Sequence, residues 1–338
     1  MRVMTISSIL LTVLVIAVTV LVSLSGPRPD MPEPEPEEPP PFEELMPPGA
    51  RADGDVALVV LLGEELVDMT MERFLIGAVA AEMPASFERE ALKAQAVAAR
   101  TDVLRKMYVE PKPRHPEAHV CGDYSCCMAF EADGRLREKW GAKYVENITK
   151  IIGAVIETDG VYLAYAGEPI LAVFHSSSAG KTETSGNVWL VDMPYLISVD
   201  SPEGREVPDF VSTVTVLREN FIQTVQNSYP DVVFDGDEAG WITDVEHTES
   251  GRIAAVTLGG MTVRGPELRS MFGLRSTAVS IECVDGDFIF KTTGYGHGVG
   301  MSQYGANALA LDGKNYRQIL SAYYTGVEFV EPEEAPAL

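Results

Sequence analysis

An α+β fold is predicted for the bulk of this chain of 338 residues, and three observations carry the prediction. Helical periodicity and strand alternation occupy separate stretches beyond Asp55, instead of alternating as strand–helix–strand units. The middle is strand-rich, with short apolar runs at Trp241–His247, Ile253–Leu258 and Met261–Arg264, the last two joined by the two-residue turn Gly259–Gly260. No dinucleotide-binding or phosphate-loop glycine pattern accompanies the strands, which argues against a nucleotide-binding α/β fold.

Taken in order, the elements begin with Val3–Leu24, an uncharged apolar run. At about 1.5 Å per residue it is long enough to span a hydrocarbon core of about 30 Å. It is longer than a signal-peptide core, so residues 1–25 are expected to be a retained transmembrane anchor, with Arg2 holding the N-terminus in the cytoplasm. Residues 26–50 contain 10 of the 22 prolines and 7 acidic residues against one Arg. Such a stretch buries no core and predicts an extended, self-repelling spacer. Residues 51–338 then form one large domain.

Within that domain Val56–Leu62 reads as a strand. Met71, Phe74, Leu75, Ala78 and Val79 follow at the spacing of one helix face, with Thr70 as N-cap. Pro84 steers Met83 out of the α region, so this helix is expected to end near Glu82. A second helix is read over Glu88–Met107, where Leu92, Ala96, Ala99, Val103 and Met107 make one apolar stripe. Val161–Ala166 and Pro169–His175 read as paired strands turning through Gly167–Glu168, and Tyr316–Tyr324 as a late helix.

The net charge is −24. A surface this acidic repels phosphate backbones and argues against nucleic acid as a partner, while a neutral polymer would be indifferent to it.

Four places carry candidate chemistry. Glu82 sits at a helix C-terminus among small apolar residues. Desolvation and the unfavourable pole of the helix dipole both raise a carboxyl's pKa, as a proton donor requires. The competing reading is a solvated carboxylate at a helix end. His115, His119, Cys121, Cys126 and Cys127 lie within 13 residues. Thiolates with an imidazole suit a closed, structural zinc site, and a Cys121–Cys126 disulfide is the equal alternative. Cys283 lies in a strand-like run and is expected to be a buried small hydrophobe. The segment His175–Trp189 offers hydroxyls, Lys181, an amide and an indole, which suit a sugar's hydroxyls and ring face. The same composition fits an ordinary Ser/Gly loop, and no nucleophile-elbow pattern marks a serine hydrolase. Finally, glycines 294, 296, 298 and 300 surround His297, permitting close approach to a ligand or to another loop.

Gly77–Phe87 (G-A-V-A-A-E-M-P-A-S-F), Ala91–Arg100 (A-L-K-A-Q-A-V-A-A-R), the His175–Trp189 loop and the Gly296–Ala306 block (G-H-G-V-G-M-S-Q-Y-G-A) together resemble the stage II sporulation protein D family, over roughly residues 55–330. The resemblance implies a membrane-anchored lytic transglycosylase of endospore formers. Its domain would lie outside the cytoplasm on a single span and cut peptidoglycan glycan strands during engulfment, as one body or as two lobes around a glycan-binding cleft. Expected partners are strands already stripped of peptide, a peptidoglycan amidase and a membrane scaffold protein.

By the same resemblance Glu82 is the catalytic acid. His175, Ser176, Ser177, Lys181, Thr182, Trp189, His297, Gln303 and Tyr304 would line the glycan groove. His115, Cys121, Cys126 and Cys127 would hold Zn2+. The family arranges its zinc ligands as His, Cys and an adjacent His–Cys pair; here Cys126 replaces the paired histidine, and His119 competes as a ligand. Two other readings stand beside lytic cleavage: a non-catalytic glycan-binding protein or amidase activator, and a zinc hydrolase, which would need an open metal position.

Overall fold

The computed structural model describes residues 38–110, 114–204 and 206–332. The predicted anchor, Val3–Leu24, lies outside the described residues, as does the spacer up to residue 37. Among the described residues no helix is long and apolar enough to cross a membrane. The described residues from Pro41 onward belong to one compact unit, and its elements are mixed helix and strand, as an α+β fold requires.

After two single-turn helices, Phe42–Leu45 and Ala52–Asp55, the chain forms a hairpin of β1 (Ala57–Leu62) and β2 (Glu65–Thr70), turning through Gly63 at φ 64°. The second strand goes beyond the sequence expectation; Thr70 both ends it and caps the following helix by accepting the Arg73 N–H. Helix α1 (Met71–Glu82) has the predicted bounds and stops with Met83 in extended conformation ahead of Pro84.

Helix α2 (Arg89–Tyr108) corrects the expectation of a single apolar stripe. It is the axis of the first core, buried on nearly every face. Alanines at 91, 94, 96, 98 and 99 let neighbouring elements approach closely. The polar residues caught inside must therefore find partners within the protein. Arg100, 1 % exposed, forms a two-pronged pair with Asp53 and donates to the Val161 carbonyl.

Next come β3 (Val120–Cys121), parallel to β1, then α3 (Asp133–Trp140) and α4 (Tyr144–Ile156). Strand β4 (Tyr162–Tyr165) turns through Ala166 and Gly167, both at positive φ, into β5 (Glu168–Pro169). The turn thus sits one residue earlier than predicted, because a tight hairpin needs positive φ at both central positions and Ala166 supplies the first. The strand expected over Pro169–His175 is broken. Its start pairs with β4, whereas its end, β6 (Phe174–His175), pairs in parallel with a strand from the far end of the chain. A short helix, α5 (Ser185–Trp189), ends the following loop.

Residues 211–293 build a second lobe. Its strands are β7 (Val211–Val216), β8 (Ile242–His247), β9 (Ile253–Leu258), β10 (Met261–Arg264), β11 (Val279–Val284) and β12 (Asp287–Thr293). They form two antiparallel sheets, ordered β10-β9-β8 and β11-β12-β7. The turn at Gly259–Gly260 forms as predicted, with φ 54° and 84°. Between and around the sheets lie α6 (Arg218–Ser228) and α7 (Gly265–Met271). An aromatic core of its own, centred on Phe221 stacked 3.9 Å from Phe288, separates this lobe from the first. Cys283, on β11, is half-buried against that core.

The chain then returns to the first lobe through β13 (Met301–Ser302), α8 (Gln303–Leu311), α9 (Tyr316–Tyr323) and β14 (Glu328–Val330). The predicted late helix is α9, started by a capping box of Asn315 and Gln318.

Candidate active site and cysteine cluster

The first lobe's helix end and the returning chain meet at Glu82. The reason begins at Gly77, one and a half turns upstream on α1. A Cβ there would stand 2.4 Å from the Phe130 ring, so only glycine lets residues 129–131 lie flat on the helix. Phe130 then stacks on Phe74, and the Glu131 N–H bonds to the Gly77 carbonyl. This docking presents the Ala129 N–H to Glu82 Oε1 at 2.6 Å. The other oxygen, Oε2, meets only the Gln303 amide, at 3.4 Å.

Burial raises the Glu82 pKa above the ordinary carboxyl value, the two hydrogen bonds pull it back in part, and the charge of Asp102 raises it further. Asp102 is invisible to a sequence reading that gives α2 a single apolar face. Here it is buried and ion-paired to Lys106 one turn later on the same helix. Burial alone would lower the Lys106 pKa, but Asp102 and the neighbouring thiols hold it above its ordinary value.

Glu82 lies where two depressions meet. One, about 610 Å³, is bounded by Asp102 and Lys106, the Cys126–Cys127 edge, Arg269 of the second lobe, and Tyr295 and His297. The other, about 560 Å³, runs between Phe87, Trp140, Lys139, Lys143 and Tyr304. Glu82, Ser176 and Gln303 line both. The acid therefore stands midway along a two-armed groove, as a chain-like ligand would need.

The remaining candidates divide by position. Ser176, Gln303 and Tyr304 face the groove, and His175 and His297 form part of one wall. Both imidazoles are committed within the protein. His175 Nδ1 lies 3.1 Å from the Val299 carbonyl and its Nε2 lies 2.7 Å from Ser178 Oγ, while His297 Nδ1 accepts the Val299 N–H. Burial, with nearby positive groups, drives His175 well below its ordinary pKa and His297 down to about 4. They are neutral wall residues.

Ser177 and Thr182 are buried away from the groove, the first paired through its backbone with Tyr295 and the second engaging Val199 and Ile197. Lys181 is exposed and 3.8 Å from Asp200. Trp189 is 39 % exposed, with its ring 5.2 Å from that of His297. The glycine-laced block approaches a loop of this chain: a Cβ at Gly300 would fall 2.1 Å from the Val173 carbonyl and one at Gly296 2.7 Å from His175.

His115, Cys121, Cys126 and Cys127 converge, with ligand atoms all within 4.8 Å of one another. A tetrahedral zinc–thiolate centre sets sulfurs roughly 3.8 Å apart, so the donor set fits. Cys121 is placed by β3 beside β1, and the Asp123 carbonyl accepts from both the Cys126 and Cys127 N–H groups, turning the pair inward. His115 Nε2 faces Cys127 Sγ at 3.4 Å while its Nδ1 is held by the Ala118 carbonyl, the orientation a metal-binding imidazole adopts. His119 is turned elsewhere, its Nδ1 accepting the Val59 N–H at 2.9 Å. All four cysteines are free thiols. Burial pushes the Cys127 thiol up to about 12, so ionisation there calls for a strong positive charge.

The fold and groove define the class: a two-lobed α+β protein with one protonatable acid on the floor of an extended cleft, buttressed by a cluster of one histidine and three cysteines. Residues 64–165 match the SpoIID, stage II sporulation protein, family model. Stage II sporulation protein D of Bacillus amyloliquefaciens is 37 % identical over 268 residues, 79 % of this chain and 76 % of that protein. The protein of the same name in Bacillus subtilis (strain 168) is 37 % identical over 80 % of this chain and 77 % of its own length. This chain belongs to the stage II sporulation protein D family. An amidase enhancer of Bacillus subtilis (strain 168) is 29 % identical across 75 % of this chain but 39 % of its own length.

Proposed function

We propose that this family member is a lytic transglycosylase acting on peptidoglycan glycan strands during sporulation. The observation that carries the reading is the solitude of Glu82. Of the carboxylates lining the groove, Glu82 and Asp102, the second is spent on Lys106. Hydrolytic glycosidases generally work with two carboxyl groups, whereas a lytic enzyme needs one that changes role.

Protonated Glu82 gives its proton to the bridging oxygen between N-acetylmuramic acid and N-acetylglucosamine, and the bond from that oxygen to the muramic C1 breaks. The oxygen leaves as the hydroxyl of the departing N-acetylglucosamine. The muramic C6 oxygen then bonds to C1 and yields its proton to the Glu82 carboxylate, closing a 1,6-anhydro ring and restoring the acid. Oε2 carries the mobile proton, because Oε1 is engaged by the Ala129 N–H and Oε2 has only a long contact to Gln303.

His115, Cys121, Cys126 and Cys127 would hold Zn2+, which would serve as a structural cross-link. Four protein donors close its coordination, which speaks against a zinc hydrolase. Cys127 lies two residues from Ala129, so a fixed cluster also fixes the N–H that orients the acid. In this reading Val3–Leu24 anchors the protein in the membrane with its domain outside the cytoplasm. An amidase that strips the strands and a membrane scaffold protein are its partners.

The full chain in detergent, as wild type and Glu82→Gln, is to be incubated with peptide-free glycan strands and the products read by mass spectrometry. Anhydro-muramic ends from the wild type alone are expected. Reducing ends without the anhydro ring would sink the lytic mechanism, and an active Gln variant would remove Glu82 from it. The likeness to an amidase enhancer keeps a non-catalytic role as the second reading, which predicts no cleavage by either protein but faster amidase turnover. Elemental analysis is expected to find one zinc per chain in protein purified without chelator; a metal-free preparation with normal stability overturns the cluster's assignment.

A further inference from the structure

The second lobe sends one charged side chain into the catalytic groove. Arg269 lies in the last turn of α7, and its Nε donates to the carbonyls of Leu274 and Arg275, each at 3.2 Å. These two bonds hold the guanidinium by its inner edge. Its Nη groups have no hydrogen-bond partner and no carboxylate within ion-pair distance among the described residues, and the side chain lines the arm of the groove that also holds Glu82.

An arginine half withdrawn from water without an anion is energetically incomplete. The neighbours do not complete it. His175 and His297 are held neutral in the same wall, Asp102 is consumed by Lys106, and Glu82 makes its hydrogen bonds to Ala129 and Gln303 and none to Arg269. Arg252, 1 % exposed, is close enough for its charge to act on Arg269; its Nη2 donates to the Lys181 carbonyl and it feels Glu183 and Glu203, and Arg275 lies over the Tyr295 ring at 4.4 Å. Once Asp102 and Lys106 are paired with each other, Arg269 is the cationic side chain of this arm left without a carboxylate among the described residues, in a chain of net charge −24.

We propose that Arg269 is a specificity residue that binds the free carboxylate of a muramic lactyl group, with the Tyr295 ring as the apolar face beside it. This rests on the glycan reading above and deepens it. A strand stripped of peptide bears one such carboxylate on every second sugar, whereas a peptide-bearing strand presents an amide at that atom. The guanidinium fork matches a carboxylate by two parallel hydrogen bonds and gains far less from an amide. The selection for stripped strands is thereby built into the groove by a residue of the inserted lobe.

The test uses the full chain in detergent carrying Glu82→Gln, so that binding is measured without turnover. Three probes are titrated calorimetrically: a peptide-free glycan oligomer with free lactyl carboxylates, the same oligomer converted to carboxamides, and a peptide-bearing strand of equal length. The free-carboxylate oligomer is expected to bind about 10- to 100-fold more tightly than the carboxamide. Adding Arg269→Gln should bring the two to one affinity, and Arg269→Lys should restore part of the gap.

Equal affinity for carboxylate and carboxamide overturns the proposal without reference to any Arg269 variant, as does a preference that survives Arg269→Gln. If the peptide-bearing strand binds as tightly as the stripped one and loses affinity with Arg269→Gln, the partner is a stem-peptide carboxylate and the lactyl assignment falls. Cleavage by the wild type is read separately. Its absence defeats the lytic mechanism and leaves the affinity comparison to decide Arg269.

Discussion

Three glutamates withdrawn from water in one molecule have opposite fates. Glu203 collects the Ser178 N–H and the hydroxyls of Ser201 and Ser302, tying the loop after β6 to the start of α8. Glu183 takes the Thr184 N–H, the Asn187 amide and the hydroxyls of Thr248 and Ser250, fastening that same loop to the second lobe. Glu82 has one short bond and one at 3.4 Å. Burial is common to all three; the supply of donors is not. A carboxylate saturated with donors is a structural knot, whereas burial with few donors raises the pKa of Glu82, the direction a proton donor needs.

The largest effect should come from Glu82→Gln, which removes the proton but little of the volume. Cleavage is expected to fall about 10³-fold, roughly 4 kcal/mol of barrier, measured as anhydro ends released per unit time. Unchanged turnover would erase the distinction between the acid and the knots. Glu203→Ala should do the reverse, acting on stability. Three donors lose their acceptor at once, at about 1–3 kcal/mol for each that stays buried and unpaired, so denaturant unfolding should shift by about 3 kcal/mol or more. A loss of under about 1 kcal/mol would mean that the knot ties nothing.

Gly77→Ala sharpens the comparison from the backbone side. The added methyl collides with Phe130, and overpacking of this kind costs about 1–3 kcal/mol. Because the same segment presents the Ala129 N–H, the rate of cleavage should fall as well, and a variant with altered stability but normal rate would separate the two. The smallest effect is pH linkage. The Glu82 pKa is raised in the folded state, so its favourable contribution is complete below the unfolded value, about 4.3, and is lost as pH rises through the folded value. Cleavage should decline over the same rise. Glu82→Gln should therefore gain stability relative to wild type as pH rises above about 4.3, as read by denaturant melts. A constant difference would show that burial does not perturb this carboxyl.

Local chemistry was legible in the sequence because it acts over a few residues. Thr70 and Pro84 set both ends of α1, and hence the position of Glu82, and glycine pairs set the hairpin at 259–260. The crowding of His115 and the three cysteines likewise points to a cluster from the sequence alone. Its membership was not legible, because His119 and Cys126 both offer a zinc-compatible donor in the same short segment. What separates them is the Val59 N–H, brought to His119 by the pairing of two distant strands.

The inward turn of Ser177 and Thr182 followed from the same cause: in a loop, residue type does not say which side faces the groove. Asp102 and Lys106 were hidden because α2 is surrounded on nearly every side, a fact set by elements far along the chain. The lone partner of the acid's Oε2, Gln303, and the unpaired Arg269 arrive from later still. Sequence by itself thus determined what each segment could become and which carboxyl could be an acid. Tertiary structure alone decided which donors each carboxyl received, since hydrogen-bond supply and desolvation are properties of neighbours that the chain brings together only on folding.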